Sequence, residues 1–166
     1  ALSIVTALLR ISEIQHVRRT AGFETFDLAQ VVQETADSYQ PVAEEKGVDL
    51  TVAIAGPGTI VGDRQLMIEA LVNLVDNAVK FTPSGGAITL GSASLVGMKR
   101  FYRADASRTT HGNGLGLSLV AAVVDLHRFS IRLGENNPGC RVELLCWDDD
   151  LQRRHLTSSE AMSLQS

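Results

Sequence analysis

The sequence predicts an α/β sandwich, a mixed β-sheet with helices on one face, preceded by one further helix. Three observations point there. Apolar residues recur at helical spacing in four stretches, and short alternating runs lie between them. Asp27 and Asp63 each stand where a helix N-cap belongs. Two apolar runs near the C-terminal end are separated by Asn136-Asn-Pro-Gly139, a hairpin turn signal. With 166 residues the chain is long enough for one domain with a real core.

Residues 1–19 carry a broad stripe of Leu2, Val5, Leu8, Leu9, Ile11, Ile14 and Val17, predicting a helix. Arg18-Arg19-Thr-Ala-Gly22 ends it with basic residues and a glycine. No N-cap precedes Ala1, so the helix is expected to begin further upstream, and its stripe needs a partner surface. Asp27 caps a second helix, with Gln30 at the capping-box position, running to about Lys46 and stopped by Gly47. Pro41 inside it predicts a kink or a break. Residues 48–54 alternate as a strand, Gly56-Pro-Gly58 turns the chain, and residues 59–61 form a second short strand. Asp63 caps a third helix over residues 64–81, which Pro83 and Gly85-Gly86 terminate. Strand resumes at 87–90, a helix covers 114–127, and residues 130–134 and 140–146 make the terminal hairpin. The polar residues 148–166 read as a tail.

A net charge of −4 and a pI near 5.5 exclude a general nucleic-acid binder. Cys140 and Cys146 share one face of a strand and stand too far apart to pair, so a reducing compartment is the simplest setting. No apolar run reaches the length of a membrane span and no signal peptide opens the chain, although a larger parent protein could be membrane-anchored.

Two segments carry the chemistry. Asn73-Leu-Val-Asp-Asn-Ala-Val-Lys-Phe-Thr-Pro83 puts Glu69, Asn73, Asp76, Asn77 and Lys80 on one side of the third helix, opposite a buried stripe of leucines and alanines. An asparagine oxygen can ligate a hard cation, its nitrogen can donate to phosphate, and Lys80 adds positive charge one turn on. On an isolated helix the blander reading, a solvated polar face, would be favoured. Two interior asparagines carry a helix-propensity cost, which argues weakly for a use. The second segment is Gly112-Asn-Gly-Leu-Gly-Leu-Ser-Leu-Val120, where glycines open an apolar helix and leave backbone N–H groups free to face an anion. Alone it is a weak signal, often only a turn. Residues 109–114 before it read as a lid that could close over a nucleotide. Phe101-Tyr-Arg103 and Arg108 precede the glycines, and either arginine could reach a terminal phosphate. His16, His111, His127 and His155 show no metal-ligand spacing, and none is followed by an acidic residue.

Together the motifs resemble the ATP-binding catalytic domain of two-component sensor histidine kinases. Residues 73–83 look like the family's N box, Arg100-Phe-Tyr-Arg-Ala-Asp105 like its F box, and Gly112 to Leu117 like its second glycine box. Val124-Asp-Leu-His127 is similar to the segment after the lid helix, with Arg128-Phe129 where the family has Gly-Gly. Residues 1–22 resemble part of the dimerisation and phosphotransfer domain, 23–147 the catalytic domain, and 148–166 would be a tail. The resemblance implies ATP and magnesium as cofactors, with Asn77 as metal ligand and Asn73 as its helper. It also implies Lys80 at phosphate, Phe81 near adenine, Arg103 and Arg108 near the phosphates, and Gly112, Gly114, Leu115 and Gly116 around them. Glu69 stands where some members carry a residue that polarises the reacting histidine. A homodimer through residues 1–19 and a response regulator are the implied partners, and a cytoplasmic setting the implied location.

Two departures stand out. The first phosphotransfer helix with its His-acid motif is absent, so autophosphorylation of the usual kind is not expected of this chain. The first glycine box is also absent, and no Asp or Glu occurs between Asp76 and Asp105. Deleting an interior strand would leave backbone groups unpaired, so a break in the chain near Ser94-Leu95 is expected. An unbroken chain there would favour the alternative: a degenerate kinase-like adaptor that docks a partner without ATP. Gyrase-type ATPases, Hsp90-type chaperones and anti-sigma kinases share the nucleotide fold, but the Phe-Tyr-Arg box and the first helix argue against them.

Overall fold

A computed structural model describes residues 6, 8, 9, 11–13, 23–55, 58–95, 98–105, 115–135 and 139–147. Its first strand, β1 (Glu24–Asp27), pairs antiparallel with β3 (Thr59–Gly62) as a separate two-stranded sheet. Asp27 ends β1 and caps helix α1 (Leu28–Lys46). Its carboxylate accepts from the Ala29 N–H at 3.0 Å and from the Gly58 N–H at 3.2 Å, so one side chain starts the helix and holds the neighbouring loop. Gln30 adds no reciprocal capping-box bond among the described residues. Nor does Pro41 break α1, which stays continuous across it. Pro41 is exposed, so the carbonyl deprived of its helical donor faces water and not the core. Gly47 ends the helix in the left-handed conformation (φ 74°) and donates to Ala43 and Glu44 carbonyls.

The main sheet has the order β2-β4-β5-β7-β6. Strand β2 (Asp49–Ala55) pairs parallel with β4 (Ala87–Leu95), and helix α2 (Arg64–Phe81) lies in the crossover between them. Strand β5 (Met98–Asp105) runs antiparallel between β4 and β7 (Cys140–Trp147), and β6 (Ser130–Glu135) forms the far edge. The sheet is therefore mixed, as expected.

The break expected near residues 94–95 is not found. β4 runs unbroken through Ser94 and Leu95, and Leu95 pairs in register with Met98 of β5. The unpaired-backbone objection disappears because β5 bonds to a strand on each side. Local pattern assigns residues 98–105 to no element. They are a central strand because their backbone fills the gap between β4 and β7, whatever their charge.

Helix α3 (Leu115–Leu126) completes the described layer. Ile88 and Leu90 from β4, Val142 and Leu144 from β7, and Met67, Leu71, Leu74, Val120 and Val123 from the helices are buried together in one core. At the helical residues of the N-terminal segment, Leu8 and Leu9 are exposed while Ile11 packs on the core, so the stripe is only partly covered by its own chain. The end of that segment and the tail 148–166 lie outside the described residues, as do His16, His111 and His155. Cys140 and Cys146 are both free, and burial pushes the Cys146 thiol far above its ordinary range. No described helix is long and apolar enough to cross a membrane.

Candidate functional site

Helix α2 is fixed at both ends. At its start the Asp63 carboxylate accepts from the Leu66 N–H at 3.1 Å. The Asp63 N–H in turn donates to His127 Nε2 at 2.9 Å. At its finish the Lys46 ammonium, from the end of α1, donates to the carbonyls of Val79 and Lys80 at 2.5 and 2.6 Å. The Thr82 N–H closes on Ala78. Along the length, the Arg64 guanidinium meets the Glu34 carboxylate of α1 with both oxygens at 2.7 Å. These ties set the rotation of α2 about its axis, and with it the direction of its polar face.

That face carries five of the expected residues. Leu66, Met67, Ala70, Leu71, Leu74, Val75 and Ala78 are buried, which leaves Glu69, Asn73 and Asn77 half-buried along the other side. Asn73 donates through Nδ2 to the Glu69 carbonyl at 2.7 Å, so its Oδ1 is oriented by the helix itself. The Asn77 amide makes no side-chain hydrogen bond among the described residues, and its oxygen is free to ligate. Lys80 is exposed and pairs with Asp76 at 2.9 Å, one turn back. Phe81 is half-buried at the helix end.

The other expected residues are distributed differently. Arg103 sits in β5 at the register position between Leu90 and Val142, in the middle of the sheet, and its side chain lies outside the described residues. Leu115 and Gly116 open α3, with side-chain surroundings likewise outside the description. Arg108, Gly112 and Gly114 lie outside the described residues. No cluster of three or more His, Cys, Asp or Glu side chains occurs among the described residues. A cation held here would use amide oxygens and the oxygens of its own ligand, a donor set suited to magnesium arriving with phosphate.

Sequence reasoning missed His127. It follows α3 and is fully buried, with Nδ1 at 2.7 Å from the Val123 carbonyl and Nε2 accepting from Asp63. This fixes a neutral ring with its proton on Nδ1. Burial holds its pKa below the ordinary histidine value, against the opposing pull of the Val123 bond and the Asp63 charge. Phe23 stacks on the ring at 4.8 Å between centroids and Phe129 lies tilted at 5.3 Å. A Cβ on Gly62 would come within 2.5 Å of the ring, so only glycine lets β3 pass so close. Arg128 then takes the left-handed conformation (φ 55°) that glycine adopts most easily. Phe129 lies two residues beyond His127, but Phe23 stands about one hundred residues away, and no local spacing relates it to the ring.

No protein-family model matches the chain. The sensor-like histidine kinase SenX3 of Mycolicibacterium smegmatis is 26% identical over 153 residues, covering 78% of this chain and 40% of the kinase. The chain thus spans less than half the length of that curated relative. Among solved structures, full-length ShkA in complex with AMPPNP superposes with a TM-score of 0.76 at 24% identity, covering 87% of this chain and 35% of that one. The catalytic domain of histidine kinase ThkA superposes with a TM-score of 0.71 at 18% identity, covering 78% of this chain and 98% of that one. At these identities the structural likeness establishes the fold. That fold is the histidine-kinase ATPase type, and in sequence the chain is similar to a sensor-like histidine kinase.

Proposed function

We propose that this domain binds magnesium–ATP against the polar face of α2 and serves as the catalytic part of a sensor histidine kinase, passing the γ-phosphoryl group to a histidine. The observation that carries this is the setting of Asn73, Asn77 and Lys80 along one side of a helix that is tied at both ends and packs against α3. The lengths agree. Twelve residues of α3 span about 18 Å, and its far end is tied to Asp63, so its start reaches the level of Asn73 to Asn77 if the helices pack side by side. Asn77 would hold the metal, Asn73 and Lys80 the phosphates, and Phe81 the base. Gly112, Gly114, Leu115 and Gly116 would wrap the phosphates, with Arg103 and Arg108 at the terminal group. Magnesium, when bound, neutralises charge on the transferring phosphoryl group. Glu69 would orient the accepting histidine. ShkA was solved with AMPPNP, which supports a nucleotide at this kind of site.

A second reading rests on a specific observation. β4 is unbroken and no carboxylate lies between Asp76 and Asp105, so the base lacks the acidic partner of the family pattern. Under that reading the domain is an adaptor for a response regulator. Calorimetric titration with ATP and GTP, with and without magnesium, separates the two. Magnesium-dependent but weak binding, with little preference for adenine, is expected. Absence of any magnesium-dependent binding would leave the adaptor.

The same reading places the domain on the cytoplasmic side of a membrane-anchored parent and pairs two copies through residues 1–19. Leu8 and Leu9 stand exposed on the described part of that helix, an apolar surface that a second copy would cover. Sedimentation should show concentration-dependent dimerisation, weakened by Leu8→Glu. A strict monomer at high concentration would rule this pairing out.

A further inference from the structure

The Lys80 ammonium, assigned above to phosphate, is already occupied. Asp76 Oδ2 lies 2.9 Å from Lys80 Nζ, one helical turn earlier on the same face. The other carboxylate oxygen, Oδ1, takes the Tyr39 hydroxyl of α1 at 3.4 Å, a long bond but one that crosses between helices. Tyr39 is half-buried, and burial together with the Asp76 charge pushes its phenol up to about 12. The phenol therefore stays a donor at any working pH.

We propose that Asp76 is a positioning residue that sets nucleotide affinity: its carboxylate, anchored by Tyr39, is the built-in anion that Lys80 must leave before it can take phosphate. This rests on the nucleotide reading of the α2 face. The physical logic is competition. A lysine whose charge is matched in the empty protein gives up that pairing on binding phosphate, so part of the new attraction is cancelled. A polyphosphate carries several negative charges and displaces a single carboxylate, whereas a monovalent anion does not. The arrangement thus favours di- and triphosphates over simple anions.

Calorimetry with magnesium–ATP at low ionic strength tests this on the intact chain. Asp76→Asn keeps the shape and the Tyr39 contact but removes the charge, and is expected to tighten binding about threefold, the scale of an exposed ion pair. In the Lys80→Gln background the same change should lose most of that gain, because there is no ammonium left to release. Unchanged or weaker binding by Asp76→Asn would overturn the proposal. So would a full gain persisting without Lys80, since that would be simple repulsion between Asp76 and the nucleotide. A wild-type protein that binds no magnesium–ATP at all would instead remove the nucleotide reading, and this inference with it. Thermal unfolding of each variant is the control, and Asp76 is 41% exposed, so folding should be kept.

Discussion

Asn77→Ala is expected to lose magnesium-dependent nucleotide binding by more than tenfold while leaving the fold intact. The residue is half-buried on the polar side of α2 and makes no side-chain hydrogen bond among the described residues. Removing its amide leaves no buried partner unsatisfied, and alanine is the better helix former. The unfolding free energy should therefore move by no more than about 0.5 kcal/mol, the usual range for such positions. Among the described residues no cluster of three or more metal-binding side chains is present to hold the cation in its place. Calorimetry with magnesium–ATP, paired with denaturant unfolding, gives both readouts. Equal affinity in wild type and variant would remove Asn77 from the site.

His127→Leu is expected to have the opposite profile, a large loss of stability with the polar face of α2 chemically untouched. The ring fills the space between Phe23 and Phe129 and satisfies the Asp63 N–H and the Val123 carbonyl. Leucine keeps most of the volume but leaves the Asp63 donor at the start of α2 without its acceptor. The cost should be about 3 kcal/mol, from one unsatisfied donor and the lost ring packing.

His127 should also leave a pH signature. Burial lowers its folded pKa, so between that value and the ordinary one of 6.5 the unfolded chain binds the proton more readily. Its contribution to stability is therefore complete above about pH 6.5 and declines as pH falls below it. Subtracting the Leu variant's pH profile from that of the wild type cancels the other histidines. A flat difference between pH 7 and 5 would mean that His127 is not held neutral.

Much of this was legible along the chain because it is local. Asp27, Gly47 and Asp63 mark helix ends through bonds to residues a few positions away, so α1 and α2 start and stop where those residues predict. The polar face of α2 follows from helical spacing alone. What was not legible depends on partners distant in sequence. β1 is four residues long and exists because β3 pairs with it. Local pattern assigns no element to residues 98–105, yet they form the central strand β5 because β4 and β7 each offer it an open edge.

The sequence by itself determined which residues could hold a metal-bound polyphosphate, since amides, a lysine and glycines at those spacings are properties of short segments. Only the tertiary structure decided how that face is held. Lys46 caps a helix whose end lies more than thirty residues further on, Tyr39 reaches Asp76 across the same gap, and His127 anchors Asp63 from sixty-four residues away. Periodicity records which side of a helix is apolar. It carries no information about which distant donor completes a helix end, because that bond is selected by packing in three dimensions.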